Sequence, residues 1–128
     1  MTSPHDLCRS HRCKVLLVDD EPLIRRLTAR ALAEADYEVI EAADGDEALE
    51  LLRSGAQVDV IVSDVMMPRM SGLELAEYVR KDFPDIRMIL ISGFELGRRA
   101  PYPLVPKPFR LPELVAVITR ELETGGSR

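Results

Sequence analysis

Four short apolar runs punctuate the chain, and each stops at a polar residue. They are Val15-Leu16-Leu17-Val18 before Asp19-Asp20, Val60-Ile61-Val62-Ser63 before Asp64, Met88-Ile89-Leu90-Ile91 before Ser92, and Leu104-Val105-Pro106 before Lys107. Runs this short and this rich in β-branched residues read as buried strands. The pattern predicts strands from Lys14 to Val18, Val58 to Ser63, Arg87 to Ser92 and Leu104 to Pro106, with a weaker one from Glu38 to Ala42.

Between the strands the period lengthens. Leu23, Ile24, Leu27, Ala31, Leu32 and Ala35 recur at helical spacing after Pro22, which suits a first helical turn. Asp44 can cap a second helix, with Asp46 and Glu47 in its first turn and Gly55 just past its end. Ser71 can cap a third, carrying Leu73, Leu75, Ala76 and Val79, and Pro84 closes that segment because the residue before a proline avoids helical geometry. A last helix opens at Pro112, is expected to bury Leu111, Leu114, Val115, Ile118 and Leu122, and stops at Thr124-Gly125-Gly126. Between Ser92 and Lys107 the prolines at 101, 103 and 106 and the glycines at 93 and 97 leave room for about two helical turns, around Glu95 to Ala100. A loop or a frayed helix is expected there. Strands alternating with helices make a three-layer α/β sandwich around a parallel sheet.

Length and composition narrow the class. At 128 residues the chain is one domain, predicted as an arm over 1–13, a body over 14–123 and a tail over 124–128. Its apolar runs fall far short of the ~20 residues that span a bilayer, and no signal-peptide core follows the start, so a cytoplasmic protein without a membrane partner is expected. A net charge of -5 argues against a nucleic-acid face, and the Arg25-Arg26 and Arg98-Arg99 pairs read as solvated. Cys8 and Cys13 are expected as reduced thiols. His5, Cys8, His11 and Cys13 lack the usual zinc spacing and any apolar pattern to hold them, so a mobile arm is expected instead.

The carboxyl ends of parallel strands share one sheet edge, where open α/β folds keep their sites. Three carboxylates (Asp19, Asp20, Asp64), the Ser92 hydroxyl and the Lys107 ammonium would meet there. Like charges in one pocket raise one another's pKa, and a hard dication such as Mg²⁺, which takes carboxylate, carbonyl and phosphate oxygens, relieves the conflict. Such a pocket suits phosphoryl transfer, with a strand-end Asp as nucleophile. Each piece also has an ordinary explanation: helix capping for Asp19-Asp20-Glu21, a turn acid at Asp64, a plain turn at Ser92-Gly93, a solvated loop lysine at Lys107. Their joint occurrence at strand ends is what points to a site.

The motifs VLLVDDEP, DVIVSDVMMPRMSG, ILISG and KPF, spread from about Lys14 to Leu122, resemble the CheY-like receiver domain of two-component response regulators. The resemblance implies a flavodoxin-like (βα)5 fold with strand order 2-1-3-4-5, here with the helix between the fourth and fifth strands short or absent. It implies that Asp64 is the phosphoacceptor, charged from a phosphohistidine on a sensor histidine kinase or histidine phosphotransfer protein. Asp20, Asp64 and the Met66 backbone carbonyl would ligate Mg²⁺, with Asp19 acting through water. Lys107 would contact the phosphoryl group, Ser92 would swing toward it, and Lys107-Pro108 would be cis, a geometry found essentially before proline. Met66 and Phe94 match positions that tune the lifetime of the acyl phosphate.

The family's aromatic switch position is Leu104 here, with Tyr102 nearby but out of register. A different surface, or ordering of Phe94 to Pro103, is therefore expected to carry the signal to an unidentified downstream protein. The resemblance implies a signalling phosphoacceptor that catalyses only its own phosphorylation and dephosphorylation, and no output domain is expected after Leu122. Two alternatives stay open. One is a Mg²⁺-dependent phosphohydrolase of the haloacid dehalogenase type, whose nucleophile ends the first strand with a second Asp two positions on, unlike the adjacent Asp19-Asp20 here. The other is a degenerate receiver that binds partners without phosphorylation.

Overall fold

The computed structural model describes residues 12–93 and 101–124. Its elements run β1 (Lys14–Val18), α1 (Pro22–Glu34), β2 (Glu38–Ala42), α2 (Gly45–Arg53), β3 (Val60–Asp64), α3 (Gly72–Asp82), β4 (Arg87–Ser92), β5 (Leu104–Pro106) and α4 (Leu111–Thr124). The five strands form one sheet in the order β2-β1-β3-β4-β5, every neighbouring pair parallel. This is the flavodoxin-like arrangement that the family resemblance implies. The expected loop or frayed helix at Glu95 to Ala100 lies outside the described residues, as do Phe94, His5, Cys8, His11 and the tail from 125.

The period-2 alternation of the strands builds the layers. Val15 and Leu17 face one way and pack with Ala29 and Leu32 of α1 and Leu114, Ile118 and Leu122 of α4. Leu16 and Val18 face the other way, against Leu49 and Leu52 of α2 and Leu75, Ala76 and Val79 of α3. All five residues of β3 are buried, as a central strand covered on both faces requires.

The helix starts follow local chemistry. The Asp44 side chain accepts from the Glu47 N–H, and Ser71 and Glu74 form a reciprocal capping box at the start of α3. Gly55, just past α2, takes φ +100°, a conformation that only glycine adopts without strain. β3 begins two residues later than predicted. The Asp59 carboxylate is drawn instead to the Lys14 N–H at 2.7 Å, and its backbone bridges Lys14 and Arg87.

Three expectations need correction. On α1 the buried positions are Thr28, Ala29 and Leu32, whereas Leu23, Ile24 and Leu27 are 72%, 46% and 58% exposed. The apolar stripe is wider than the face the sheet can cover, so its N-terminal part overhangs. Leu111 is likewise exposed at the first turn of α4. Cys13 is not a free thiol in a polar arm. It lies immediately before β1, packs into the same core cluster as Val15, and is disulfide-bonded.

Candidate functional site

Strand register assembles the pocket. Val18 pairs with Ser63, which sets Asp19 level with Asp64 across β1 and β3. Asp64 pairs with Ile91 and Ser92 with Pro106, so Ser92 and Lys107 each project one step further along the same edge. Carboxylate oxygens of Asp19, Asp20 and Asp64 lie within 4.8 Å of one another. Lys107 reaches in from the rim, its Nζ 2.8 Å from Asp64 Oδ1. Asp19, Asp64 and Ser92 are buried, and Asp20 and Lys107 face solvent.

Backbone contacts hold these groups in place. The Asp19 N–H donates to the Ala42 carbonyl of β2, and Asp19 Oδ1 accepts from the Glu21 N–H at 2.9 Å. Behind Asp64, the Val65 N–H donates to the Ile91 carbonyl and the Gly72 N–H to the Val65 carbonyl. A side chain at Gly72 would run into the Asp64 carbonyl, so the close return of α3 against the end of β3 requires glycine. The Lys107 N–H donates to the Ser92 carbonyl at 2.8 Å, and the Lys107-Pro108 bond is cis.

The electrostatics are unbalanced. Two bare carboxylates at this spacing repel by about 3.5 kcal/mol at an effective dielectric constant near ~20. Burial pushes the Asp64 carboxyl up to about 6, with Asp19 adding to the rise and the Lys107 hydrogen bond opposing it. One ammonium against three acids leaves an excess of negative charge facing hard oxygen donors. That donor set fits Mg²⁺, which prefers carboxylate and carbonyl oxygens and keeps several waters.

Met66, two residues past Asp64, is 63% exposed. Leu104 sits half-buried on β5 opposite Leu90. Tyr102, outside the strand, donates its hydroxyl to Glu77 Oε2 of α3 at 2.7 Å, and Arg80 holds the other oxygen of the same carboxylate at 2.7 Å.

Sequence reasoning missed Arg25. It is not a solvated surface residue: its side chain is 15% exposed, with one nitrogen on the Asp19 carbonyl at 2.7 Å and Nε on Glu41 Oε1 of β2 at 3.0 Å. One signal was available. A cation in the first turns of a helix stands against the macrodipole, so it needs a partner elsewhere. Arg69 was missed too; it takes φ 67° in the β3–α3 loop and pairs with Asp44 at 2.8 Å.

A doubly wound parallel sheet whose carboxyl edge carries an acid triad and a facing lysine defines a class of α/β proteins with an oxygen-rich pocket for cations and phosphate. The family described as response regulator receiver domain matches residues 15–119. The chain belongs to that family. It is 43% identical over 117 residues to a protein named sensor kinase CckA from Brucella abortus, an alignment covering 85% of this chain and 12% of that protein. It is 34% identical to the DNA-binding transcriptional regulator NtrC of Azospirillum brasilense, covering 86% of this chain and 24% of that one. The chain thus spans a small part of these relatives.

Among solved structures, the receiver domain of the hybrid histidine kinase CckA superposes with a TM-score of 0.75 at 35% identity, covering 85% of this chain and 98% of that one. The response regulator TrrA from Thermotoga maritima, in complex with Mg²⁺ and BeF, superposes with a TM-score of 0.77 at 35% identity, covering 84% and 97%. The chain is therefore a receiver domain of two-component signalling. Among the described residues no helix is long and apolar enough to cross a membrane.

Proposed function

We propose that the chain accepts a phosphoryl group on Asp64 from the phosphohistidine of a sensor histidine kinase or a histidine phosphotransfer protein, and that the phosphorylated form binds a downstream protein. The observation that carries this reading is the Asp64–Lys107 pair at 2.8 Å inside a triad of acids within 4.8 Å. An Asp64 carboxylate oxygen attacks phosphorus, the P–N bond to the donor ring breaks, and the ring, protonated on its other nitrogen, leaves as neutral imidazole. Lys107 neutralises charge on the transferred oxygens and keeps Asp64 ionised. Asp20, Asp64 and the Met66 carbonyl would hold Mg²⁺, with Asp19 acting through water. When bound, the ion offsets the negative charge of both carboxylate and phosphoryl group.

Ser92, buried one step past Ile91, is suited to turn its hydroxyl onto the new phosphoryl oxygen. Leu104 has no hydroxyl or ring to follow it, and Tyr102 is tied to α3. The downstream signal in this reading leaves by another surface, with the segment Phe94 to Pro103 as the candidate. Hydrolysis returns Asp64 to the carboxylate and releases phosphate.

Incubation with acetyl phosphate and Mg²⁺ tests the reading. One added phosphoryl group by intact mass, absent in Asp64→Asn and lost on adding a chelator beforehand, is the expected result. Stoichiometric labelling that persists in Asp64→Asn would overturn it.

A further inference from the structure

The loop after β1 carries two of the three acids, and mutual repulsion drives it away from Asp64. Three contacts restrain Asp19 within it. Its N–H is held by the Ala42 carbonyl, its carboxylate by the Glu21 N–H, and its carbonyl by the Arg25 guanidinium at 2.7 Å. The first two belong to the strand ladder and to a local turn. The third is a side-chain tie, and it is anchored to a second element, because Arg25 Nε also binds Glu41 of β2 at 3.0 Å.

Its placement is unfavourable by default. Arg25 lies one turn into α1, near the positive end of the helix dipole, with its side chain 85% withdrawn from solvent, the complement of its 15% exposure. Capping does not account for it, since a cation cannot accept from the free N–H groups of a first turn. The planar fork of the guanidinium can hold a carbonyl and a carboxylate at once. Arg25 thereby clamps the acid-bearing loop to the edge strand.

Resting on the Mg²⁺-dependent reading above, we infer that Arg25 is a positioning residue for the metal pocket: through the Asp19 carbonyl and Glu41 it holds the Asp19-Asp20 loop at the distance from Asp64 that a cation requires. Glu41 is the anchor that aims it.

Charge and geometry predict opposite outcomes. If Arg25 acted only as a nearby positive charge, its removal would tighten Mg²⁺ binding. As a clamp, its removal loosens the loop and weakens binding. The experiment is Mg²⁺ titration by calorimetry, without phosphodonor, on wild type, Arg25→Gln, Arg25→Lys and Glu41→Gln, with melting in EDTA as the folding control. Arg25→Gln is expected to raise the Mg²⁺ Kd by about tenfold, the lower end for groups that orient metal ligands. Arg25→Lys loses nearly as much, because an ammonium lacks the rigid fork needed to hold both acceptors, and Glu41→Gln loses less. At saturating Mg²⁺ all three recover the wild-type rate of labelling by acetyl phosphate, since the Asp64–Lys107 pair is untouched.

Unchanged or tighter Mg²⁺ binding in Arg25→Gln overturns the inference. If that variant does not fold, unchanged binding in Glu41→Gln overturns it instead. A wild-type protein that binds no Mg²⁺ is a distinct result: it overturns the proposed function, and this inference with it.

Discussion

The Tyr102 hydroxyl donates to the Glu77 carboxylate at 2.7 Å, which fastens the segment before β5 to α3 across 25 residues of sequence. Burial raises the phenol above its ordinary value, and the acceptor carboxylate raises it further. The hydrogen bond in turn holds Glu77 below the usual carboxylate range, with Arg80 assisting. An aromatic two positions earlier than Leu104 thus serves as a tether between elements.

Tyr102→Phe removes the tether and keeps the ring. The expected loss of stability is small, about 1 kcal/mol or less for one exposed hydrogen bond. Urea unfolding reads that loss, and faster exchange of the Tyr102 amide, whose neighbours Pro101 and Pro103 carry no N–H, reads the release of the segment. Glu77→Gln lowers the Tyr102 pKa toward the ordinary value in an absorbance titration, but not all the way, because burial is the larger cause.

Asp64 titrates near 6 in the folded chain against 3.8 for the free side chain. A carboxyl raised in the folded state favours the protonated form, so its contribution to stability is fully present below the unfolded pKa and is lost as pH rises through the folded one. Relative to Asp64→Asn, the wild type in EDTA therefore loses stability between pH about 4 and about 7, by an amount on the order of 1–3 kcal/mol. Denaturation of both proteins across that range measures the difference. Mg²⁺ added above pH 7 is expected to restore stability to the wild type and not to the variant.

Gly72→Ala drives a methyl group into the Asp64 carbonyl and the Val65 Cα, which are backbone atoms without room to yield. The expected cost is about 3 kcal/mol, at the upper end for overpacking. Because the displaced group is the backbone of the proposed phosphoacceptor, labelling by acetyl phosphate is expected to fall as well. A variant with wild-type stability and labelling would contradict the contact.

Leu23, Ile24 and Leu27 leave an apolar patch on α1, directly after the acid-bearing loop. In the proposed reading, such a patch beside the acid pocket suits docking of a protein phosphodonor. Leu27→Glu is expected to slow phosphorylation by a protein donor by about tenfold or more while leaving acetyl phosphate labelling unchanged. Equal slowing with both donors would rule out a docking role.

In the proposed phosphoacceptor reading, the exposed Met66, two residues past Asp64, is expected to hinder the water that hydrolyses the acyl phosphate. Met66→Asn is expected to shorten the lifetime of phosphorylated Asp64 several-fold, read as phosphate release after removal of the donor. An unchanged rate would remove support for that role.

The strands were legible because burial on both faces demands short apolar runs, and four of the five begin and end where the pattern places them. The helix caps were legible for a similar reason: Asp44 and Ser71 satisfy N–H groups within three residues of themselves, so their chemistry is local. The strand-end acids could be singled out because a parallel sheet gathers its carboxyl ends along one edge whatever the details of packing.

Facts that depend on which surface meets which other surface were not available from sequence. Helical spacing cannot say how much of an apolar stripe the sheet will cover, and Leu23 and Leu27 fall outside it. The place of Arg25 against the helix dipole hints at a partner, but only β2 supplies it, bringing Glu41 beside it from 16 residues away. Tyr102 acquires its partner from α3 in the same way. Local pattern determined which segments are strands, helices and candidate acids, since those choices rest on the burial and hydrogen bonding of neighbours. Only the tertiary structure decided which charges face one another, because an ion pair or a side-chain tie depends on distance in space, which sequence separation does not encode.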